Sequence, residues 1–291
     1  MIDTKKIAEI FDCSEPEITN IEIINKGMTN NSITFSIKDN KYFMRIPGVG
    51  TEKLIDREKE HAVYKTIEPH NLADEMICFD SDNGYKVTIF CENARVCNPN
   101  NNKDVERCIK YLKKFHELEL KVEHFFDVFE RIEYYESLWG SKESLNNDYF
   151  ETKNNVLKLR EFIDSSIKKC VLTHCDSVAD NFLMSADGSV KLIDWEYAGM
   201  QDPHLDIAMF VIYACYEKEQ IDQVIDIYFE NECPHNIRMK IYAYISICGL
   251  MWNNWCEYKH KLGVDCEEYR AKQYTYAKNY YKIFSNEYEK V

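Results

Sequence analysis

A chain of 291 residues with 45% hydrophobic side chains can build two lobes with sizeable cores and needs no covalent staples. Its formal charge of −14 argues against general nucleic-acid binding, which asks for a basic face, and favours a cationic small molecule only weakly. No run of about 18 apolar residues could span a membrane, and the amino terminus, MIDTKKIAEIFDC, carries acids within its short apolar pattern and shows no signal peptide, so a soluble, cytoplasmic protein is expected.

Residues 4–12 read as a short amphipathic helix. After Pro16 the pattern turns to strands at 18–24, 32–38 and 41–46, with Asp39-Asn40 as the tight turn between the last two. Pro47 and Gly48 end the third strand. Thr51 opens one helix running to about residue 66, its apolar side outlined by Leu54, His61, Ala62 and Ile67. Strands at 76–80 and 85–90, joined by Ser81-Asp82-Asn83-Gly84, complete a small sheet lobe of five strands and one inserted helix. The polar, Asn-rich stretch 91–103 marks a crossing, which divides the chain into residues 1–92 and 93–291. Asp104 then caps a helix in which Val105, Cys108, Ile109, Leu112 and Phe115 recur at helical steps. Residues 127–168 are mostly helical, interrupted near Gly140 and Asn146, and further helices are expected at 205–216, 220–229, 237–258 and 267–284. The twelve cysteines are scattered without a C-x-x-C pair or a companion histidine cluster, and read as reduced, packed thiols.

Residues 171–206 hold the candidate chemistry. Two apolar runs, 181–184 and 190–193, flank Ser185-Ala186-Asp187-Gly188 as a β-hairpin, with His174, Asp176 and Asn181 at its front edge and Asp194 at its exit. Phosphoryl transfer needs a carboxylate to take the acceptor hydroxyl's proton and hard oxygen ligands for a phosphate-bridging magnesium. Asp176 and Asn181, with four residues between them, match the kinase catalytic-loop spacing, and Asp194 stands where the magnesium-binding acid follows.

The segments KGMTNNS (26–32), YFMRIPG (42–48), GTEKLIDREKE (50–60), HCDSVADN (174–181), LIDWEYAG (192–199) and DPHLDIA (202–208) occur in an order that resembles the choline kinase and aminoglycoside phosphotransferase superfamily, and within it the bacterial choline kinases. The resemblance implies an α+β, protein-kinase-like bilobal fold, with a small antiparallel sheet lobe carrying one helix and a larger, mainly helical lobe. It implies ATP and Mg2+ as cofactors, Asp176 as catalytic base, and Asn181 and Asp194 as magnesium ligands. Arg45 falls at the phosphate-contacting cation, with Glu58 as the acid that orients it and Glu60 as the competitor. The phosphate-covering turn is Gly27 to Ser32; with one glycine in place of G-x-G-x-x-G, it would be helped by Thr29, Asn30 and Ser32. The base would lie against residues 90–93. Asp206 either braces the catalytic loop or caps a helix beginning at Ile207, and the two are compatible. Relatives usually carry Asn or Gly where Cys175 stands; the cysteine leaves the base intact and invites inhibition by thiol reagents. His174 is expected as a packed loop histidine.

Choline's trimethylammonium has no hydrogen to donate, so only carboxylates and the faces of aromatic rings can hold it. Trp252 and Trp255 lie three apart on one helix, a spacing that equally fits a core stripe. The resemblance makes them the wall of the acceptor pocket, with Tyr197 and Tyr276 as further rings and Glu196 adding negative potential. Ethanolamine or another amino alcohol is the alternative acceptor and an aminoglycoside a more distant one. A non-catalytic nucleotide or choline binder is the other class.

Overall fold

The computed structural model describes residues 4–24, 29–140, 143–167 and 169–288. Helix α1 (Thr4–Phe11) precedes strands β1 (Ile18–Ile24), β2 (Asn30–Ile37) and β3 (Asn40–Pro47), then helices α2 (Thr51–Leu54) and α3 (Arg57–Ile67), then strands β4 (Met76–Phe79) and β5 (Lys86–Ile89). The strands form one antiparallel sheet in the order β1-β2-β3-β5-β4. Period-two alternation sorts its faces. Ile33, Phe35, Ile37 and Met44 build a small core with Ile7 of α1 on one side. Ser32 stands opposite Arg45, and Asn30 opposite Pro47, so Asn30, Ser32 and Arg45 share the other side.

Two local expectations shift. Ile37 pairs with Asn40, so the turn is Lys38-Asp39, with Lys38 in the left-handed region at φ 54°. The helix expected from Thr51 breaks at Ile55, which is extended, because the Asp56 side chain accepts from the Lys59 amide (3.2 Å) and caps a new helix at Arg57.

The chain crosses to the second lobe at residues 91–94, where the Ala94 amide donates to the Cys91 carbonyl and Asn93 takes φ 58°. The polar stretch expected as a plain crossing holds strand β6 (Ala94–Val96). Helix α4 (Asn102–Glu117) is capped by Asn101; Asp104 sits inside its first turn, where its carboxylate receives Arg95 and the Asn98 amide. Helices α5 (Val128–Ser137), α6 (Tyr149–Leu157) and α7 (Leu159–Ser166) follow. Strand β7 (Val171–Thr173) then leads to β8 (Phe182–Ser185), β9 (Val190–Leu192) and β10 (Gly199–Gln201), before α8 (His204–Tyr213), α9 (Lys218–Tyr228), α10 (His235–Lys261) and α11 (Glu267–Tyr288). β6, β8 and β9 form one small sheet, and β7 pairs with β10.

Helix α10 is buried on all sides from Met239 to Lys259, polar residues such as Lys240, Asn253, Asn254 and Glu257 included, and runs through the large core. At its closest approach to α11 it carries Gly249, where a Cβ would lie 2.6 Å from the Gln273 carbonyl oxygen, so only glycine admits this crossing. The carboxyl-terminal part of α10 also grips the first lobe. Tyr258 donates to the Gly50 carbonyl (3.4 Å) and Lys259 to that of Val49 (3.2 Å), while Tyr134 of α5 donates to Lys53 (2.6 Å). Among the described residues, no helix is long and apolar enough to cross a membrane.

Candidate active site

Between β7 and β8 the chain turns sharply through residues 174–181, and buried hydrogen bonds hold that turn. The Asp206 carboxylate, fully buried, accepts from the backbone amides of His174 (3.0 Å) and Cys175 (2.8 Å) and from His116 Nε2 (3.0 Å). Helix α8 begins at His204, so Asp206 lies within the helix and braces the loop; the helix-cap alternative falls. Buried His174 donates from Nε2 to the Ile193 carbonyl (3.0 Å) and accepts the Asp176 amide at Nδ1 (3.3 Å), which assigns the neutral tautomer. Burial pushes its imidazole below the ordinary range. It is a packed histidine whose ring holds the Asp176 amide in place.

Asn181 donates its side-chain amide to the Asp176 backbone carbonyl (2.9 Å) and approaches Asp176 Oδ2 at 3.5 Å, while its backbone carbonyl receives the Ile193 amide (2.9 Å). That last bond ties Asn181 to the segment that delivers Asp194, which adopts φ 65°, a left-handed conformation unusual outside glycine. Burial, then the charges of Asp194, Glu196 and Asp206, hold the Asp176 carboxyl well above the usual carboxylate range, with Asn181 pulling back.

The cation side is built from the sheet and α3. Arg45, 2% exposed, makes a two-pronged pair with Glu60 (2.5 and 3.0 Å) and reaches Asp194 at 3.5 Å. Glu58 is exposed, so Glu60 replaces it as Arg45's partner: capping at Asp56 sets a register that turns Glu60 inward. Arg57, absent from the sequence candidates, donates to Glu60 (2.7 Å), Glu196 (2.9 Å) and Asn30 Oδ1 (3.3 Å). Its signal was its place three residues before Glu60 on one helix face. Asn30 also donates to Glu196 (2.9 Å). Glu196 therefore faces two arginines, while its charge still acts on the Tyr197 phenol. Burial, then Asp194, push its carboxyl up to about 7. Thr29 backs onto Gly48, where a Cβ would meet the Thr29 carbonyl oxygen at 2.1 Å. Ser32 is buried in β2 opposite Arg45, and Gly27 lies outside the described residues.

Three of the four proposed rings meet. Tyr197 and Trp252 stand edge to face at 5.5 Å, Trp252 and Trp255 at 5.8 Å, and Trp255 donates to the Tyr197 hydroxyl (3.2 Å). Tyr276 points elsewhere, donating to the Tyr216 carbonyl (2.7 Å) with its ring 6.0 Å from that of Tyr280. Tyr269, two helical turns earlier on α11, has its ring 6.0 Å from that of Tyr213; burial raises its phenol, and Cys256 and Asp176 add to the rise. Cys175 is fully buried and its thiol is pushed well up by burial, so the expected sensitivity to thiol reagents does not follow at this residue.

A family model for choline/ethanolamine kinase matches residues 21–248. Protein LicA of Haemophilus influenzae is 26% identical over 264 residues, covering 85% of this chain and 76% of the relative. The crystal structure of choline kinase LicA from Streptococcus pneumoniae is similar at TM-score 0.84 and 26% identity, with 96% of this chain and 97% of that one covered. A structure of LicA in complex with AMP is similar at the same TM-score and identity, with 97% of both chains covered.

Proposed function

The chain belongs to the choline/ethanolamine kinase family, and from that premise we propose that it transfers the γ-phosphoryl group of ATP to the hydroxyl of choline. One observation carries the chemistry: Asn181 bonds both to the residue that would act as base and to the strand exit that delivers Asp194. Asp176 aligns the acceptor hydroxyl and takes its proton as the oxygen bonds to the γ-phosphorus and the bond to the ADP oxygen breaks. Arg45, fixed by Glu60, presents its guanidinium to the phosphates.

Asn181 spends its amide nitrogen on Asp176 and keeps its oxygen, and the Asp194 side chain is 32% exposed. Two hard oxygens with room for water fit magnesium, which takes few protein ligands. Bound there, the ion would neutralise charge on the transferring group.

Tyr197, Trp252 and Trp255 form the wall for the acceptor's ammonium, and Tyr276, bonded to the Tyr216 carbonyl, stands outside it. Because Glu196 is committed to the arginines, the wall offers rings in place of hydrogen-bond acceptors, which favours a methylated ammonium over ethanolamine. Side-by-side turnover of choline, ethanolamine and kanamycin tests the acceptor; choline should lead, and absent or merely equal choline turnover would remove it. Asp176→Asn should cut kcat by about 10³-fold while ATP still binds. Undiminished turnover in that variant would rule out Asp176 as the base.

A further inference from the structure

Under the phosphate-covering turn four charged side chains close a ring. Arg45 and Arg57 share Glu60. Arg57 and, at 3.6 Å, Arg45 also share Glu196. Asn30 joins the ring from the turn, accepting from Arg57 and donating to Glu196. The ring spans both lobes, because Glu196 follows Asp194 in the second lobe while the other members belong to the first.

The donors of the two arginines are spent differently. Arg57 has one Nη on two carboxylates and the other on Asn30, with a side chain only 10% exposed. Arg45 has both Nη atoms engaged, yet its Nε is buried without a partner. An unpartnered buried donor on a guanidinium calls for an anion. Its direction is set by the two-pronged contact with Glu60, and Glu60 is in turn held by Arg57.

We propose that Arg57 is a positioning residue for the outer phosphates of the nucleotide: through Glu60 it sets where Arg45 points, and through Asn30 and Glu196 it fastens the phosphate-covering turn to the opposite lobe. The inference rests on ATP binding between that turn and Asp194. The three acceptors are divided between the two Nη atoms of the guanidinium fork, a reach that the single nitrogen of a lysine does not reproduce.

The test compares binding of a non-hydrolysable ATP analogue and of AMP, by calorimetry without acceptor, in the unaltered protein, Arg57→Lys, Arg57→Gln and Asn30→Ala. Both Arg57 variants should bind the ATP analogue at least about tenfold more weakly, with AMP affinity and the KM for choline each within about twofold. Asn30→Ala, which spares the Arg45–Glu60–Arg57 chain, should show a smaller loss in the same direction. Equal weakening of ATP analogue and AMP, or full retention of ATP-analogue affinity in Arg57→Lys, would overturn the proposal. If the Arg57 variants do not fold, unchanged ATP-analogue affinity in Asn30→Ala overturns it. Failure of the unaltered protein to bind the ATP analogue would instead defeat the kinase reading itself.

Discussion

Replacing Asp206 by asparagine tests whether the catalytic loop hangs from this one carboxylate. The side chain is fully buried and accepts three hydrogen bonds: Oδ2 from the His174 amide and His116, Oδ1 from the Cys175 amide. An asparagine keeps one acceptor oxygen and sets an NH2 group against the remaining donor. With the oxygen at the two-donor position, the Cys175 amide is left buried and unpaired beside another donor. Losing one charge-assisted bond costs about 1.5–3 kcal/mol, and the stranded amide about 1–3 kcal/mol more, so Asp206→Asn should lose about 2.5–6 kcal/mol. Because His174 and Cys175 immediately precede Asp176, kcat should fall at least about tenfold along with stability. Urea unfolding followed by tryptophan fluorescence, alongside steady-state kinetics, measures both. A loss of about 1 kcal/mol with kcat intact is what a helix cap would give, and would refute the brace.

Gly48→Ala would place a methyl group against the Thr29 carbonyl, forcing the backbone at Thr29 and Asn30 to lift; if that backbone covers the nucleotide's phosphates as proposed, KM for ATP should rise about tenfold with KM for choline unchanged, and an unaltered ATP KM would contradict this role. Trp252→Ala should raise KM for choline about 30-fold, from a desolvated cation–ring contact of about 2 kcal/mol, and leave KM for ATP alone. Burial lowers the His204 imidazole to about 4, partly opposed by Asp202, whereas the unfolded chain protonates near 6.5. Its contribution to stability is therefore complete above pH 6.5 and lost as pH falls towards 4, about 3 kcal/mol in all. His204→Phe, able to keep the ring contacts with Tyr228 and Phe229, should flatten that acid limb in unfolding measured from pH 7 to 4.

The small sheet was legible because Ile33, Phe35 and Ile37 alternate with polar residues, and the loop at 174–181 because phosphoryl-transfer chemistry restricts which residues stand at which spacing. Strands β6, β7 and β10 were not, since three residues are too few to show alternation. The error at Glu58 is one of register. A helix read from Thr51 and a helix capped at Asp56 point different faces at the sheet, and a local hydrogen bond to the Lys59 amide decides between them. Glu196 and Arg57 were opaque for another reason: their partnership joins residues 139 positions apart, and nothing local announces it. For Trp252 and Trp255, helical spacing described a core stripe and a pocket wall equally well, and the bond from Trp255 to Tyr197 became visible only once α10 and the segment after β9 were packed together.

The grip of α10 and α5 on residues 49–53 has a mechanical consequence. The first lobe is moored there, again at Leu72, whose carbonyl receives the Leu192 amide (3.0 Å) and the Tyr111 hydroxyl (2.7 Å), and a third time where Asn30 and Arg57 reach Glu196. A body held at several points cannot swing about two of them without straining the rest. Any roll of the sheet against the helical part must therefore strain or break the bonds of Asn30 and Arg57 to Glu196.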